Sequence, residues 1–214
     1  MWPTILFDLD GTLTDPKTGI TKSVQFALAH FGIHVENPDV LCPFIGPPLL
    51  DSFRDFYGFS ETDAKTAIAQ YREYFSAKGI YENAVYDGIP ALLQALKTAG
   101  RRIVLATSKP TIFANLILKH FAIDSYFDFV SGSELDGTRT HKAEVIAYAL
   151  QQCQLHDTAS LVMVGDRKHD IIGAQQTDLA SIGVLYGYGS REELCAAGAT
   201  MLADTVRDLS ALLL

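Results

Sequence analysis

Five short runs of apolar, often β-branched residues recur along the chain, and each stops at small, polar or acidic residues. Thr4–Phe7 ends at Asp8, Ile103–Ala106 at Thr107-Ser108, Phe127–Val130 at Ser131-Gly132, Leu161–Val164 at Gly165-Asp166, and Ile182–Leu185 precedes Tyr186-Gly187. Each run is followed, sooner or later, by a helical pattern. Nearly continuous apolar strands suit a sheet buried on both faces, and their alternation with helices predicts an α/β fold built on a doubly wound parallel sheet. The polar residues at the carboxyl ends of the strands then converge on one crevice, where open sheets of this kind bind ligands.

One stretch breaks the alternation. After the first strand come roughly 70 residues without a strand pattern, more than a crossover needs. Ile20, Val24, Leu28 and Phe31 form one helical stripe, Leu49, Leu50, Phe53 and Phe56 a second, and Ala64, Ala67, Ile68, Tyr71 and Phe75 a third. Ser60 to Asp63 reads as a capping-box start for the third helix. The organisation expected is a core of residues 1–14 and 85–214, with residues 15–84 inserted as an all-helical cap; helices packed permanently on the sheet are the plainer alternative. A helix begins near Asp87, with Pro90 in its first turn, and Gly100 ends it.

At 214 residues the chain is about 1.4 times a typical domain of roughly 150 residues, which fits one domain carrying an insert. Its 17 Lys and Arg against 25 Asp and Glu give a net charge of −8, which argues against a nucleic-acid polymer or an anionic membrane as partner. An acidic enzyme that handles anions then needs a local cation at its site. The three cysteines, Cys42, Cys153 and Cys195, are odd in number and widely spaced, so they encode neither a disulfide framework nor a zinc site. The start, Met1-Trp2-Pro3-Thr4, has no basic segment before an apolar one, and no 18 apolar residues run together. A cytoplasmic protein without a signal peptide or membrane span is expected.

The densest chemistry lies in Asp8-Leu9-Asp10-Gly11-Thr12-Leu13-Thr14. On an extended chain residues i and i+2 face the same way, so Asp8 and Asp10 place two carboxylates side by side at a strand mouth. Like charges that close repel unless a metal binds or one carboxyl takes a proton. Both outcomes are useful, because a hard divalent cation takes oxygen ligands and a carboxyl of raised pKa serves as an acid near neutral pH. A lone D-x-D also fits a turn cap; the longer string tied to an apolar strand tips the reading towards chemistry.

Other strand ends add to it. Thr107-Ser108, with Pro110 marking a helix start just beyond, reads as an N-cap or as an anion site. Lys142 starts the helix from Ala143 to about Gln152, an awkward place for a cation at a positive dipole end. It either faces solvent or reaches back to an anion shared with Thr107. Asp166 and Asp170, four apart, would share one helical face, and two more acids beside the first pair call for a cation such as Mg²⁺. There is no P-loop, no G-x-S-x-G and no H-E-x-x-H, and the six histidines show no paired ligand spacing.

Taken together, Asp8-Leu9-Asp10-Gly11-Thr12, Thr107-Ser108-Lys109, Lys142 and Gly165-Asp166-Arg167 to Asp170 resemble, in order, the four motifs of the haloacid dehalogenase-like phosphatases. The likeness covers nearly the whole chain. The insert resembles the helical cap of the subfamily containing phosphoglycolate phosphatases and β-phosphoglucomutases. Phe44 to Leu49 and Gly183 to Ser190 are most similar to the branch of phosphoglycolate phosphatases and 5′-nucleotidases. The resemblance implies a Rossmann-like core and a phosphomonoester hydrolase working on a small phosphorylated metabolite through an aspartyl phosphate. Asp8 would be the nucleophile and Asp10 the acid and base. Thr107 and Lys142 would serve catalysis and, with Gly11 and Ser108, bind the phosphoryl group. Mg²⁺ would be held by Asp8, the Asp10 carbonyl, Asp166 and Asp170, while closure of the cap would exclude water.

An acid at position 10 argues against dehalogenase and phosphonatase chemistry. A sugar phosphomutase of the β-phosphoglucomutase type would keep every one of these residues and differ only in its cap. A receiver-like phosphorylated switch shares the inventory, but its acidic pair precedes the phosphorylated strand, and the chain is far longer than such a module. The physiological ester is not specified by the sequence, and a monomer or a homodimer fits equally.

Overall fold

The computed structural model describes residues 2–214, and Met1, part of the start expected to carry no signal peptide, lies outside them. In chain order the elements are β1 (Thr4–Phe7), β2 (Thr14–Asp15), α1 (Lys17–His30), α2 (Leu49–Tyr57), α3 (Glu61–Ala77), β3 (Ala84–Val85) and α4 (Ile89–Thr98). There follow β4 (Arg102–Pro110), α5 (Thr111–His120), β5 (Phe129–Ser133), α6 (Lys142–Gln152), β6 (Leu161–Gly165), α7 (Lys168–Gln176), β7 (Ala180–Val184), α8 (Arg191–Ala196), β8 (Met201–Ala203) and α9 (Val206–Leu213). They form two compact units, one running to Asp15 and resuming at Val85–Leu214, the other Pro16–Ala84.

The first unit is built on a six-stranded sheet in the order β5-β4-β1-β6-β7-β8. Its pairings are parallel throughout, with Phe7 opposite Leu105 on one side and Val164 on the other. This is the α/β sheet that the apolar runs predict. Leu6, Val104, Ala106 and Met163 face one side, where they are buried against Val145, Ile146 and Ala149 of α6 and Ala174 of α7. The alternate residues Ile5, Phe7, Ile103, Leu105, Val162 and Val164 are also buried. Helices α4 and α9 touch each other, α4 contacts β4, and α9 contacts β7 and β8. Each fully buried Val, Leu, Ile, Phe or Met side chain among these contributes about 1.5–3 kcal/mol. Among the described residues no helix is long and apolar enough to cross a membrane.

Several details depart from the sequence pattern, three of them within residues 87–133. The strand expected to stop at Ala106 runs on as β4 to Pro110, with its register against β5 shifting between Ala106 and Pro110, so Thr107 and Ser108 lie in an irregular strand rather than a helix cap. The strand expected over Phe127–Val130 begins at Phe129 and carries through Ser133. The helix expected from Asp87 begins at Ile89.

The second unit is helical. Ser60 caps α3, its hydroxyl accepting from the Asp63 N–H at 3.1 Å. Phe44 and Ile45 are buried, and the Phe44 ring meets Phe53, Phe56 and Tyr57 at 5.0, 5.3 and 6.0 Å. These residues therefore help to build the core of their own unit.

Candidate active site

In the sheet order the chain lays β4 and β5 on one side of β1, then crosses to β6, β7 and β8 on the other. Beside β1 the strand order therefore reverses, and the loops beyond the carboxyl ends diverge to leave a crevice. Asp8 stands one residue past β1 and extends its ladder, its N–H donating to the Val164 carbonyl at 2.9 Å. The turn that follows is closed by the Gly11 N–H donating to the Thr14 carbonyl at 2.7 Å. Gly11 has φ +85°, and a Cβ there would stand 2.2 Å from Asp166 Oδ2, so both conformation and space demand glycine.

Asp166 is the first residue past β6. Its Oδ2 accepts the Tyr188 N–H at 2.8 Å and its Oδ1 the Thr12 hydroxyl at 3.4 Å. Asp170 sits in the first turn of α7, where its Oδ2 accepts the Arg167 N–H at 3.1 Å and so caps the helix. Glu193 reinforces that end, accepting from Arg167 Nε at 2.9 Å and the Lys168 N–H at 2.8 Å. Gly165 leaves room for Asp170, because a Cβ there would lie 2.1 Å from the Asp170 Cγ.

Lys142 opens α6, and Glu144 offsets a cation at that helix end by accepting the His141 N–H at 3.2 Å. The lysine does not face solvent. Its Nζ lies 2.6 Å from Asp8 Oδ1, 2.8 Å from Asp170 Oδ1 and 3.0 Å from the Ala106 carbonyl. Asp8, Asp166 and Asp170, all buried, each bring a carboxylate oxygen within 4.8 Å of the other two. Asp10 lies outside that trio. Its Oδ2 pairs with Lys109 Nζ at 2.8 Å, while its Oδ1 is buried with no hydrogen-bond partner among the described residues.

One ammonium among three buried carboxylates leaves an excess of negative charge. Burial, then the charges of Asp170 and Asp8, push the Asp166 carboxyl well above the usual range. Burial also raises Asp170, against the pull of Lys142. Burial works against the Lys142 ammonium, yet Asp170 and Asp8 more than offset it and hold its pKa above the ordinary value. Asp10 is raised by burial, with Lys109 opposing. An all-oxygen, net negative, buried set of this kind fits a hard divalent cation, which would relieve the repulsion the trio otherwise carries.

The structure thus gathers Asp8, Asp166 and Asp170 together and sets Lys142 against Asp8 and Asp170. Thr107 is buried on the neighbouring strand, its Oγ1 accepting the Lys109 N–H at 3.3 Å. Ser108 is more open, and its carbonyl accepts the Ser133 hydroxyl at 2.8 Å. The sequence names Lys109 only as the last residue of the Thr107-Ser108-Lys109 motif and Tyr188 only within Gly183 to Ser190, without a role for either, and does not mark Glu193. The i, i+2 spacing of Lys109 from Thr107 is a signal for the first; a backbone N–H such as that of Tyr188 leaves none.

Comparison with known proteins agrees with this geometry. The sequence profile of haloacid dehalogenase-like hydrolases matches residues 5–184. A 5′-nucleotidase of Pseudomonas aeruginosa is 55% identical over 91% of this chain and 88% of its own. The tyrosine-protein kinase PtkA of Mycobacterium tuberculosis is 40% identical over 96% of this chain and 70% of its own. Among solved structures, a protein described as a predicted phosphatase from Clostridium acetobutylicum superposes with a TM-score of 0.97 at 50% identity, covering 99% of this chain and 98% of that one. The strand-end carboxylates, the parallel sheet that presents them and a profile spanning most of the sequence lead to one assignment: this chain belongs to the haloacid dehalogenase-like hydrolase family.

Proposed function

We propose that the chain is a Mg²⁺-dependent phosphomonoester hydrolase for a small phosphorylated metabolite, working from residues of the β1 crevice. The observation that carries this reading is the buried trio Asp8, Asp166 and Asp170 with Lys142 Nζ 2.6 Å from Asp8. Phosphoryl transfer needs mostly positioning and charge neutralisation, and this inventory supplies both.

In the first step a carboxylate oxygen of Asp8 attacks phosphorus in line. The bond from phosphorus to the ester oxygen breaks as the aspartyl phosphate forms, and Asp10 gives its proton to the departing alkoxide. In the second step Asp10 takes a proton from water, whose oxygen attacks phosphorus and releases inorganic phosphate and the Asp8 carboxylate. Lys142 neutralises the phosphoryl oxygens together with Thr107, Ser108 and the Gly11 turn. Asp8, Asp166 and Asp170, with the Asp10 carbonyl, would hold Mg²⁺, whose charge balances that of the phosphate dianion.

The relatives part over the acceptor: one is named a 5′-nucleotidase, whereas another is named a tyrosine-protein kinase. Water is the acceptor proposed here, and a nucleoside 5′-monophosphate the first ester to try, because the 5′-nucleotidase shares 55% of its residues with this chain over the aligned length. Phosphoglycolate is the second, since more distant relatives carry that name. The test incubates the protein and Mg²⁺ with a nucleoside monophosphate, phosphoglycolate, an aryl phosphate or β-glucose 1-phosphate, following free phosphate and glucose 6-phosphate. Many turnovers of phosphate release support the hydrolase. Dominant conversion of the sugar phosphate would replace it with a mutase, and one stoichiometric, long-lived phosphorylation with a switch.

A further inference from the structure

The crevice holds two buried lysines, and only Lys142 has a task in the chemistry above. Lys109 lies on β4 two residues beyond Thr107, and its Nζ is 2.8 Å from Asp10 Oδ2, with side-chain exposures of 5% and 10%. Its backbone N–H also donates to the Thr107 hydroxyl at 3.3 Å. One residue therefore touches both the carboxyl assigned to proton transfer and the hydroxyl assigned to the phosphoryl group. A buried ion pair is a poor device for stability, since an apolar pair of similar volume is often as good or better. A reason other than stability is needed for it.

The second observation is the orphaned oxygen. Asp10 Oδ1 is buried without a hydrogen-bond partner among the described residues, although buried acceptors are almost always satisfied. An unpartnered oxygen of this kind is what a group that gives and takes a proton requires, provided its other oxygen is fixed. We infer that Lys109 is a positioning residue for Asp10, its ammonium pinning Oδ2 so that Oδ1 is presented first to the leaving oxygen and then to the attacking water. The inference rests on the hydrolase reading of Asp10. The two lysines then divide the work: Lys142 serves the nucleophile Asp8, and Lys109 the acid and base Asp10.

Positioning has a kinetic signature that loss of phosphate binding or general loosening lacks. A good leaving group departs without a proton, so only poor leaving groups depend on Asp10 in the first step. The experiment compares wild type, Lys109→Met and Lys109→Gln with Mg²⁺ on an alkyl phosphate, phenyl phosphate and 2,4-dinitrophenyl phosphate. Lys109→Met is expected to lose about 10²-fold in kcat on the alkyl ester, the usual cost of a misplaced group, at little change in KM. With the dinitrophenyl ester, phosphoenzyme should form within a few-fold of the wild-type rate and then accumulate, because water attack still needs Asp10. Lys109→Gln retains a neutral donor for Oδ2 and should recover part of the loss; it also serves as the readable variant if Lys109→Met fails to fold. An equal loss in the rate of phosphoenzyme formation on all three esters overturns the inference, as does a raised KM at unchanged kcat. Should wild type turn over none of the esters, the hydrolase reading falls by itself. Positioning is then read from crystal structures of wild type and Lys109→Met: a displaced Asp10 carboxyl supports it, and an unmoved one overturns it.

Discussion

The Lys142 ammonium donates to Oδ1 of Asp8 at 2.6 Å, and the two side chains are 4% and 5% exposed. The same ammonium faces Asp170 at 2.8 Å, so its removal strands two buried carboxylates at once. Breaking one partner out of a buried pair typically costs about 3–5 kcal/mol. Lys142→Met is expected to lose stability in that range in a metal-free buffer, by urea unfolding, and to lose most of its activity. A loss below about 1 kcal/mol would mean that the pair is already solvated or protonated.

The proposed metal would be held by the same carboxylates. A ligand that binds only the folded state stabilises it by mass action, by about 2.7 kcal/mol at a hundredfold excess over Kd. Mg²⁺ should therefore raise the Tm of wild type and leave Asp166→Asn almost unmoved, and chelation should abolish phosphate release. Ca²⁺, with its larger and looser shell, should protect against unfolding yet inhibit turnover. Full activity after exhaustive chelation would remove the metal from the mechanism.

The parts of this architecture legible in the sequence are those that local chemistry writes. An apolar run that ends at an acid marks both a strand and what stands at its mouth, which is how Asp8 and Asp166 can be placed beforehand. What escapes reading depends on register. Lys109 meets Asp10 because β1 and β4 pair with Phe7 opposite Leu105, and nothing in either segment alone states that alignment. The continuation of β4 through Pro110 is likewise imposed by β5, whose Ser133 pairs with Pro110 after the register shift. The edge strand Met201–Ala203 is shorter than any periodicity window and is held by its pairing with β7. The family motifs, being short and contiguous, survive this loss of register information, whereas the contacts that orient them do not.

Gly165 offers a test of close packing at the site. A Cβ there would stand 2.1 Å from the Asp170 Cγ and 2.3 Å from its Oδ2, far inside contact distance. Gly165→Ala must push Asp170 aside and break its hydrogen bond from the Arg167 N–H. The expected result is a fold that persists, with Mg²⁺ affinity and kcat lowered roughly 10- to 100-fold, as when the surroundings of metal ligands are disturbed. Calorimetry with Mg²⁺ checks the affinity, and unchanged binding would show that Asp170 is dispensable for it.

Away from the crevice, Asp128 gives a pH dependence of definite sign. Burial raises its pKa, but hydrogen bonds from Lys97 Nζ and the Ile103 N–H, each at 2.8 Å, outweigh it and leave the folded value below the usual 3.8. A depressed carboxyl stabilises the fold above its unfolded pKa, and that contribution disappears as pH falls through the folded value. Wild type should therefore exceed Asp128→Asn in urea midpoint at pH 6, and the gap should close only below about pH 4. A gap that is constant across this range would assign the effect to the neutral hydrogen bond.

The first motif separates its two acids by kinetics. If Asp8 is the nucleophile, Asp8→Asn loses turnover and phosphoenzyme together, since no carboxylate oxygen remains to attack. If Asp10 moves the protons, Asp10→Asn keeps the nucleophile and loses about 10²- to 10⁴-fold in rate, the usual worth of a general acid or base. It should still allow Asp8 to be phosphorylated slowly by esters with good leaving groups, and the phosphoenzyme should then persist because nothing deprotonates water. Rapid quench with a radiolabelled ester distinguishes the two variants. Label trapped on Asp10→Asn but absent from Asp8→Asn fits the assignment, and a near-normal rate in Asp8→Asn would take the nucleophile away from position 8.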